Sequence, residues 1–110
     1  MLESIFKNLG PGTFRIGGNS VEVDSWSTTG KGSCSWSGTT QTPGMVDAFV
    51  AIMKKVGWRF IWGLHLKNDD PANNAQNAAY VANAAGSSLI GVEIGNEPNL
   101  YGWSRWSRQI

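Results

Sequence analysis

The chain has 110 residues, 41% of them hydrophobic, and a formal charge of +1 at pH 7. That composition is ordinary for a globular protein and sufficient for one modest core. Near-neutral charge argues against a nucleic-acid or anionic-membrane partner, and no apolar run approaches the roughly 20 residues that span a bilayer.

Leu2 to Leu9 reads as the tail of a helix, ended by Gly10-Pro11-Gly12. The same opening stretch lacks the basic region and long apolar run of a signal peptide. Thr13 to Ile16 reads as a short strand stopped by Gly17-Gly18. Residues 19 to about 41 are rich in Ser, Thr and Gly, carry Trp26 and Trp36, and show no helical period. A loop that long inside a compact domain is more often functional or disordered than incidental. Cys34, the single cysteine, lies within it, so neither an internal disulfide nor a cysteine-based metal site is expected and the compartment stays open. Thr42-Pro43 then supplies an N-cap and a first-turn proline. Val46, Phe49, Val50, Ile52, Met53 and Val56 follow at helical spacing, Lys54-Lys55 reads as a solvated face, and Gly57 is placed as a C-cap. Trp58 to Leu66 is a continuous apolar strand. Asp70-Pro71 opens a second, alanine-rich helix over Ala72 to Ala85, closed by Gly86, and Leu89 to Gly95 is the last strand.

Strands and helices that alternate in this way, with near-continuous apolar strands, predict right-handed βαβ units and a parallel sheet in one unit. Two architectures fit: a doubly wound open sheet, or part of a (β/α)8 barrel. The stretch GGNSVEV is not a dinucleotide fingerprint, because the glycine spacing is wrong and no helix follows directly. In both architectures the working residues sit at the carboxyl ends of the strands. Those ends carry Gly17-Gly18-Asn19, His65 and Asn96-Glu97. Alternation puts Glu93, Gly95 and Glu97 on one face of the last strand, with Val92 and Ile94 on the other, toward the helices. Pro98 ends the strand and restrains the turn. A carboxyl group held at the lip of a partly apolar cavity can serve as a general acid, which glycoside hydrolysis requires. An isolated Asn-Glu-Pro is also compatible with a solvated turn glutamate.

The fuller text is more particular. GPGTFRIGGNS at residues 10–20 and LIGVEIGNEPNLYGW at residues 89–103 together resemble glycoside hydrolase family 79, the β-glucuronidases and heparanase-like endo-glucuronidases, and the intervening WRFIWGLHLKNDDPANNAQNAAYVANAAG is similar to that family's third strand and helix. The resemblance covers about residues 10 to 103. It implies strands two to four of a (β/α)8 barrel, within a retaining hydrolase that uses no cofactor and no metal. A secreted or extracytoplasmic setting is implied for the full-length enzyme. Glu97 matches the acid/base, Asn96 the asparagine that contacts the sugar 2-hydroxyl, and Asn19 a position lining the sugar pocket. His65 departs from the asparagine expected there and would act as a neutral donor. Tyr101 and Trp103 complete the expected substrate contacts. Trp26, Trp36, Trp103 and Trp106 lie in loops where indole faces either stack on sugar rings or pack the loops down.

A complete barrel takes about 250 residues. Residues 1–110 therefore read as one fragment of a catalytic barrel, with the nucleophile near the end of a seventh strand outside this chain. Arg15 and Glu93 are expected on the inner face, close enough for charge-assisted hydrogen bonds, with Glu93 orienting Arg15. A related glycosidase acting on a neutral sugar, or a non-catalytic carbohydrate-binding remnant, are the alternative readings.

Overall fold

A computed structural model describes residues 1–30 and 38–101 of the protein. These form an α/β domain with three parallel strands in one sheet: β1 (Thr13–Ile16), β4 (Arg59–Leu64) and β5 (Leu89–Ile94), in the order β1-β4-β5. The register runs Phe14 to Phe60 and Ile16 to Trp62 on one side of β4, and Trp62 to Val92 and Leu64 to Ile94 on the other. Helices α1 (Leu2–Leu9), α2 (Pro43–Val56) and α3 (Pro71–Ala85) all pack on one face of this sheet. There Phe60, Trp62 and Leu64 meet Val46, Val50 and Met53 of α2 and Val81 and Ala85 of α3, all buried. Edge-on rings join the layers: Phe49 against Phe60 at 5.0 Å and Phe6 against Trp58 at 4.7 Å.

The helix ends follow from local chemistry. Thr42 Oγ1 accepts from the Met45 amide, Pro43 occupies the first turn, and Gly57 closes α2 in the left-handed region at φ 73°. Asp70 Oδ1 accepts from the Asn73 amide at 3.1 Å ahead of Pro71, which starts α3 one residue before the expected Ala72.

Three expectations need correction. The central strand is shorter than Trp58–Leu66, because the Trp58 indole turns back to donate to the Gly10 carbonyl at 2.7 Å, and His65 and Leu66 lie beyond the pairing. The last strand stops at Ile94, one residue early, where Gly95 takes φ 78°. Within the stretch expected as loop, Asn19–Val23 is a 3-10 turn, and β2 (Asp24–Trp26) pairs in parallel with β3 (Thr39–Gln41). Trp26, placed in a loop by the sequence, is buried at 3% exposure against Tyr80. Asn73 pins its backbone, accepting from the Trp26 amide and donating to its carbonyl, each at 2.9 Å.

Behind this pair runs a chain of buried hydrogen bonds. Trp62 Nε1 donates to Asn77 Oδ1 at 3.2 Å, Asn77 Nδ2 to Gln41 Oε1 at 2.8 Å, and Gln41 Nε2 to Asp24 Oδ2 at 3.1 Å. It ties β4, α3, β3 and β2 together, and it explains how two three-residue strands hold without a longer ladder. No helix among the described residues is long and apolar enough to cross a membrane.

Candidate active site

The carboxyl ends of β1, β4 and β5 lie together because the strands are parallel, and side chains from distant parts of the sequence are joined there. Arg15 sits on β1 and Glu93 on β5, both on the face away from the helices. They form a two-pronged pair, Nε to Oε2 at 2.9 Å and Nη2 to Oε1 at 2.8 Å. The expected contact between these two residues is therefore present. Gly17 makes room for it, since a Cβ there would stand 2.2 Å from Glu93 Oε1 and 2.7 Å from Arg15 Cζ. The Arg15 side chain is 52% exposed and that of Glu93 28%, so the pair contributes little to stability by itself, about 1 kcal/mol at most. Its consequence is geometric: it fixes a guanidinium on the face of the sheet away from the helices.

Asn19 and Asn96 form the second contact. Asn96 Nδ2 donates to Asn19 Oδ1 at 2.8 Å, across 77 positions of sequence. Asn19 opens the 3-10 turn after β1, and Asn96 stands two residues past the end of β5.

Glu97 follows in an unusual backbone conformation. Its φ of 48° and ψ of 57° are left-handed, uncommon for a residue with a Cβ. Its carbonyl accepts from the Leu100 amide at 2.8 Å, which starts the 3-10 turn Pro98–Leu100. Alternation cannot be carried from Glu93 to Glu97, because the left-handed Gly95 breaks it after Ile94. The common face expected for Glu93, Gly95 and Glu97 is thus not set by the strand. Glu97 is exposed, and the described residues do not form the partly apolar enclosure expected around it.

The residue that organises this end of the sheet is Glu22, which the sequence left in a loop of unknown course. It is 7% exposed. Oε2 accepts from the Leu66 amide at 3.0 Å and the Lys67 amide at 2.8 Å, just past β4. Oε1 accepts from the Asn96 amide at 2.6 Å and from the Tyr101 hydroxyl. Burial pushes the Glu22 carboxyl up, but the Tyr101 hydroxyl and the three amides outweigh it and hold the group below the usual glutamate range. Burial and the neighbouring Glu22 carboxylate push the Tyr101 hydroxyl up to about 12. Tyr101, expected on substrate, thus has its hydroxyl engaged with Glu22. The signal for Glu22 was faint: Val21-Glu22-Val23 lies in a stretch read as loop, where no local pattern marks a carboxylate for burial. In the observed 3-10 turn both Val21 and Glu22 face inward.

His65 is 3% exposed, and its carbonyl accepts from Asn74 Nδ2 at 2.6 Å. A ligand would reach its ring only if the covering residues moved, so the structure does not present it as the accessible sugar contact expected. Burial raises the Asp24 carboxyl, partly offset by hydrogen bonds from Gln41 and Thr39 and by the charge of His65. Trp103 lies outside the described residues, as do Trp36, Trp106 and Cys34. Among the described residues no group of three or more His, Cys, Asp or Glu is placed to hold a metal ion.

Set against protein-family models and curated proteins, the chain matches none. What the site can do therefore has to be read from its own groups. Two carboxamides, a guanidinium and a carboxylate at the open end of a parallel sheet are suited to holding a polyhydroxylated ligand beside a proton donor.

Proposed function

We propose that this chain is the N-terminal part of the catalytic barrel of a retaining β-glucuronidase-like glycoside hydrolase. The enzyme would cleave glucuronic acid residues from glycans or glycoconjugates, with Glu97 as general acid/base. The observation that carries the reading is the Asn19–Asn96 contact: it joins RIGGNS and IGNEPNLY, the two segments of the family resemblance, beside Glu97. Two features of the fold favour a barrel segment over a doubly wound sheet. The strand order advances without reversal, and all three helices pack on one face; a doubly wound sheet carries helices on both faces and reverses at a switch point.

In this reading Glu97 protonates the departing glycosidic oxygen and then, as its conjugate base, takes a proton from the water that releases the sugar. Asn96 binds the sugar hydroxyl next to the reacting carbon, and Asn19 lines the same pocket. Their mutual bond uses one donor of Asn96 and one lone pair of Asn19, and the remaining capacity of the two amides suits sugar hydroxyls. The Arg15–Glu93 pair lies on the inner face, where the nucleophilic carboxylate of a completed barrel would need a fixed positive neighbour.

The test is turnover of an aryl β-glucuronide and an aryl β-glucoside by the full-length enzyme carrying this segment. Hydrolysis of the glucuronide, lost in Glu97→Gln, is expected. Preference for the glucoside would assign a related neutral-sugar hydrolase, and sugar binding without hydrolysis by either substrate would assign a carbohydrate-binding remnant.

A further inference from the structure

Glu97 is exposed and held in a left-handed conformation, so something other than burial must keep its turn in place. The turn begins at Gly95, whose amide donates to the Leu64 carbonyl at 2.8 Å, and the regular strand has already ended. From there to Tyr101, apart from the bond of the Asn96 side chain to Asn19, the hydrogen bonds that reach another part of the fold converge on one group. The Asn96 amide donates to Glu22 Oε1 at 2.6 Å, and it also lies 3.0 Å from the Tyr101 oxygen. The Tyr101 hydroxyl donates to the same Glu22 oxygen. The other Glu22 oxygen receives the Leu66 and Lys67 amides. Gly95 lets this closure happen, because a Cβ there would stand 2.9 Å from the Tyr101 oxygen and 2.8 Å from Leu66 Cβ.

We propose that Glu22 is the positioning residue of the acid-bearing turn, an ionised carboxylate that clamps both ends of the Asn96–Tyr101 segment to the end of β4 and thereby aims Glu97. The role rests on the reading of Glu97 as acid/base. Glu22 touches no substrate in this scheme and acts through Asn96 and Tyr101. Four donors on one carboxylate leave it no spare capacity to serve as a second catalytic acid, which separates its role from that of Glu97. Ionisation matters to the clamp: a protonated carboxyl would present a donor of its own where three of the four partners are backbone amides that can only donate. A glutamine at position 22 meets the same conflict, keeping the shape while turning one acceptor into an amide donor.

Two measurements test this, one on each link. Amide hydrogen exchange on the 110-residue chain reads the clamp itself. Glu22→Gln is expected to reduce protection at Leu66, Lys67 and Asn96 by on the order of tenfold or more, while α2 amides such as Val50 stay unchanged. Kinetics of the full-length enzyme then read the aim of Glu97. Glu22→Gln should lower kcat/KM on the order of 10- to 100-fold for aryl glucuronides with poor leaving groups and leave kcat/KM for activated dinitrophenyl substrates, whose departure needs no proton, nearly untouched. Tyr101→Phe removes one donor and keeps the carboxylate, so it should give the same selective loss at smaller size even if Glu22→Gln folds poorly. Unchanged protection, or equal loss on good and poor leaving groups in both variants, overturns the proposal. Glu97→Gln measured alongside separates the two layers. If it shows no selective loss on poor leaving groups, the acid reading fails and the positioning role falls with it, whatever the exchange data show of the clamp.

Discussion

Glu22 shows how much a single side chain can hide from sequence. Nothing in Gly18-Asn19-Ser20-Val21-Glu22 states that the carboxylate will be 7% exposed and bonded to residues 44, 45, 74 and 79 positions away. Those partners are mainly backbone amides, which every sequence offers equally, so no residue pattern marks them. Arg15 and Glu93 were legible for the opposite reason: strand alternation puts two long, oppositely charged side chains on the same face of one sheet, within reach of each other. The position of Glu22 has a measurable consequence. Its folded carboxyl lies below the usual range, so the stability it contributes is present above its unfolded value and is lost as pH falls through the folded one. Asp24 acts in the reverse sense: its raised carboxyl favours the fold at low pH and loses that contribution as pH rises. Comparing wild type with Glu22→Gln isolates the first effect. The stability difference is expected to be about 2 to 3 kcal/mol near pH 7 and to shrink steadily below about pH 4.5. Chemical denaturation across that range measures it, and a difference independent of pH would contradict the assignment.

At the level of elements, caps and periodicity gave most of the framework. Thr42-Pro43, Asp70-Pro71 and Gly57 sit where helix ends must satisfy their amides and carbonyls, and α2 and α3 begin and end within a residue of those marks. Residues 19–41 were not legible, because β2 and β3 are held by tertiary bonds rather than by a local pattern. Asn77 is central to this. In an alanine-rich helix it reads as one more polar position, yet it is 6% exposed and links Trp62 to Gln41. Asn77→Leu would leave the Trp62 N–H and the Gln41 carbonyl buried without that partner and is expected to cost about 2 to 4 kcal/mol. Asn83→Ala, on the exposed side of the same helix, should change stability by no more than about 0.5 kcal/mol. Equal effects of the two substitutions in denaturant unfolding would show that the buried chain of hydrogen bonds carries no special weight. The turn after β5 was misread for a backbone reason: alternation holds only while φ and ψ stay extended, and Gly95 and Glu97 both leave that region.

At the scale of the molecule, the described residues leave an open surface. Among the described residues, β1 and β5 each pair on one side only. Ile90, Val92 and Ile94 of β5 are 44%, 43% and 60% exposed beside a groove of about 430 Å³ lined by Leu66, Pro71, Ala75 and Ala78. Open strand edges beside uncovered aliphatic surface favour association. The 110-residue chain is therefore expected to show concentration-dependent self-association in sedimentation velocity, reduced in Val92→Lys/Ile94→Lys; a monomer at every concentration would contradict this. The same chain is expected to hydrolyse no glucuronide. A retaining enzyme needs a second carboxyl about 5 to 5.5 Å from the acid, whereas Glu93 is committed to Arg15 and Glu22 to four donors.

The central claim is the role of Glu97, and small-anion rescue tests it most directly. In the full-length enzyme, Glu97→Ala leaves the nucleophile intact, so an activated aryl β-glucuronide still forms the glycosyl-enzyme, and no base remains to activate water. Azide needs no such base and attacks the intermediate directly, releasing the nucleophilic carboxylate. The account predicts that azide restores turnover of Glu97→Ala and that the product is the β-glucuronyl azide, formed with net retention. An α-configured azide would mean that Glu97 is itself the nucleophile, and absence of rescue together with undiminished wild-type-like hydrolysis in Glu97→Ala would remove it from the chemistry altogether.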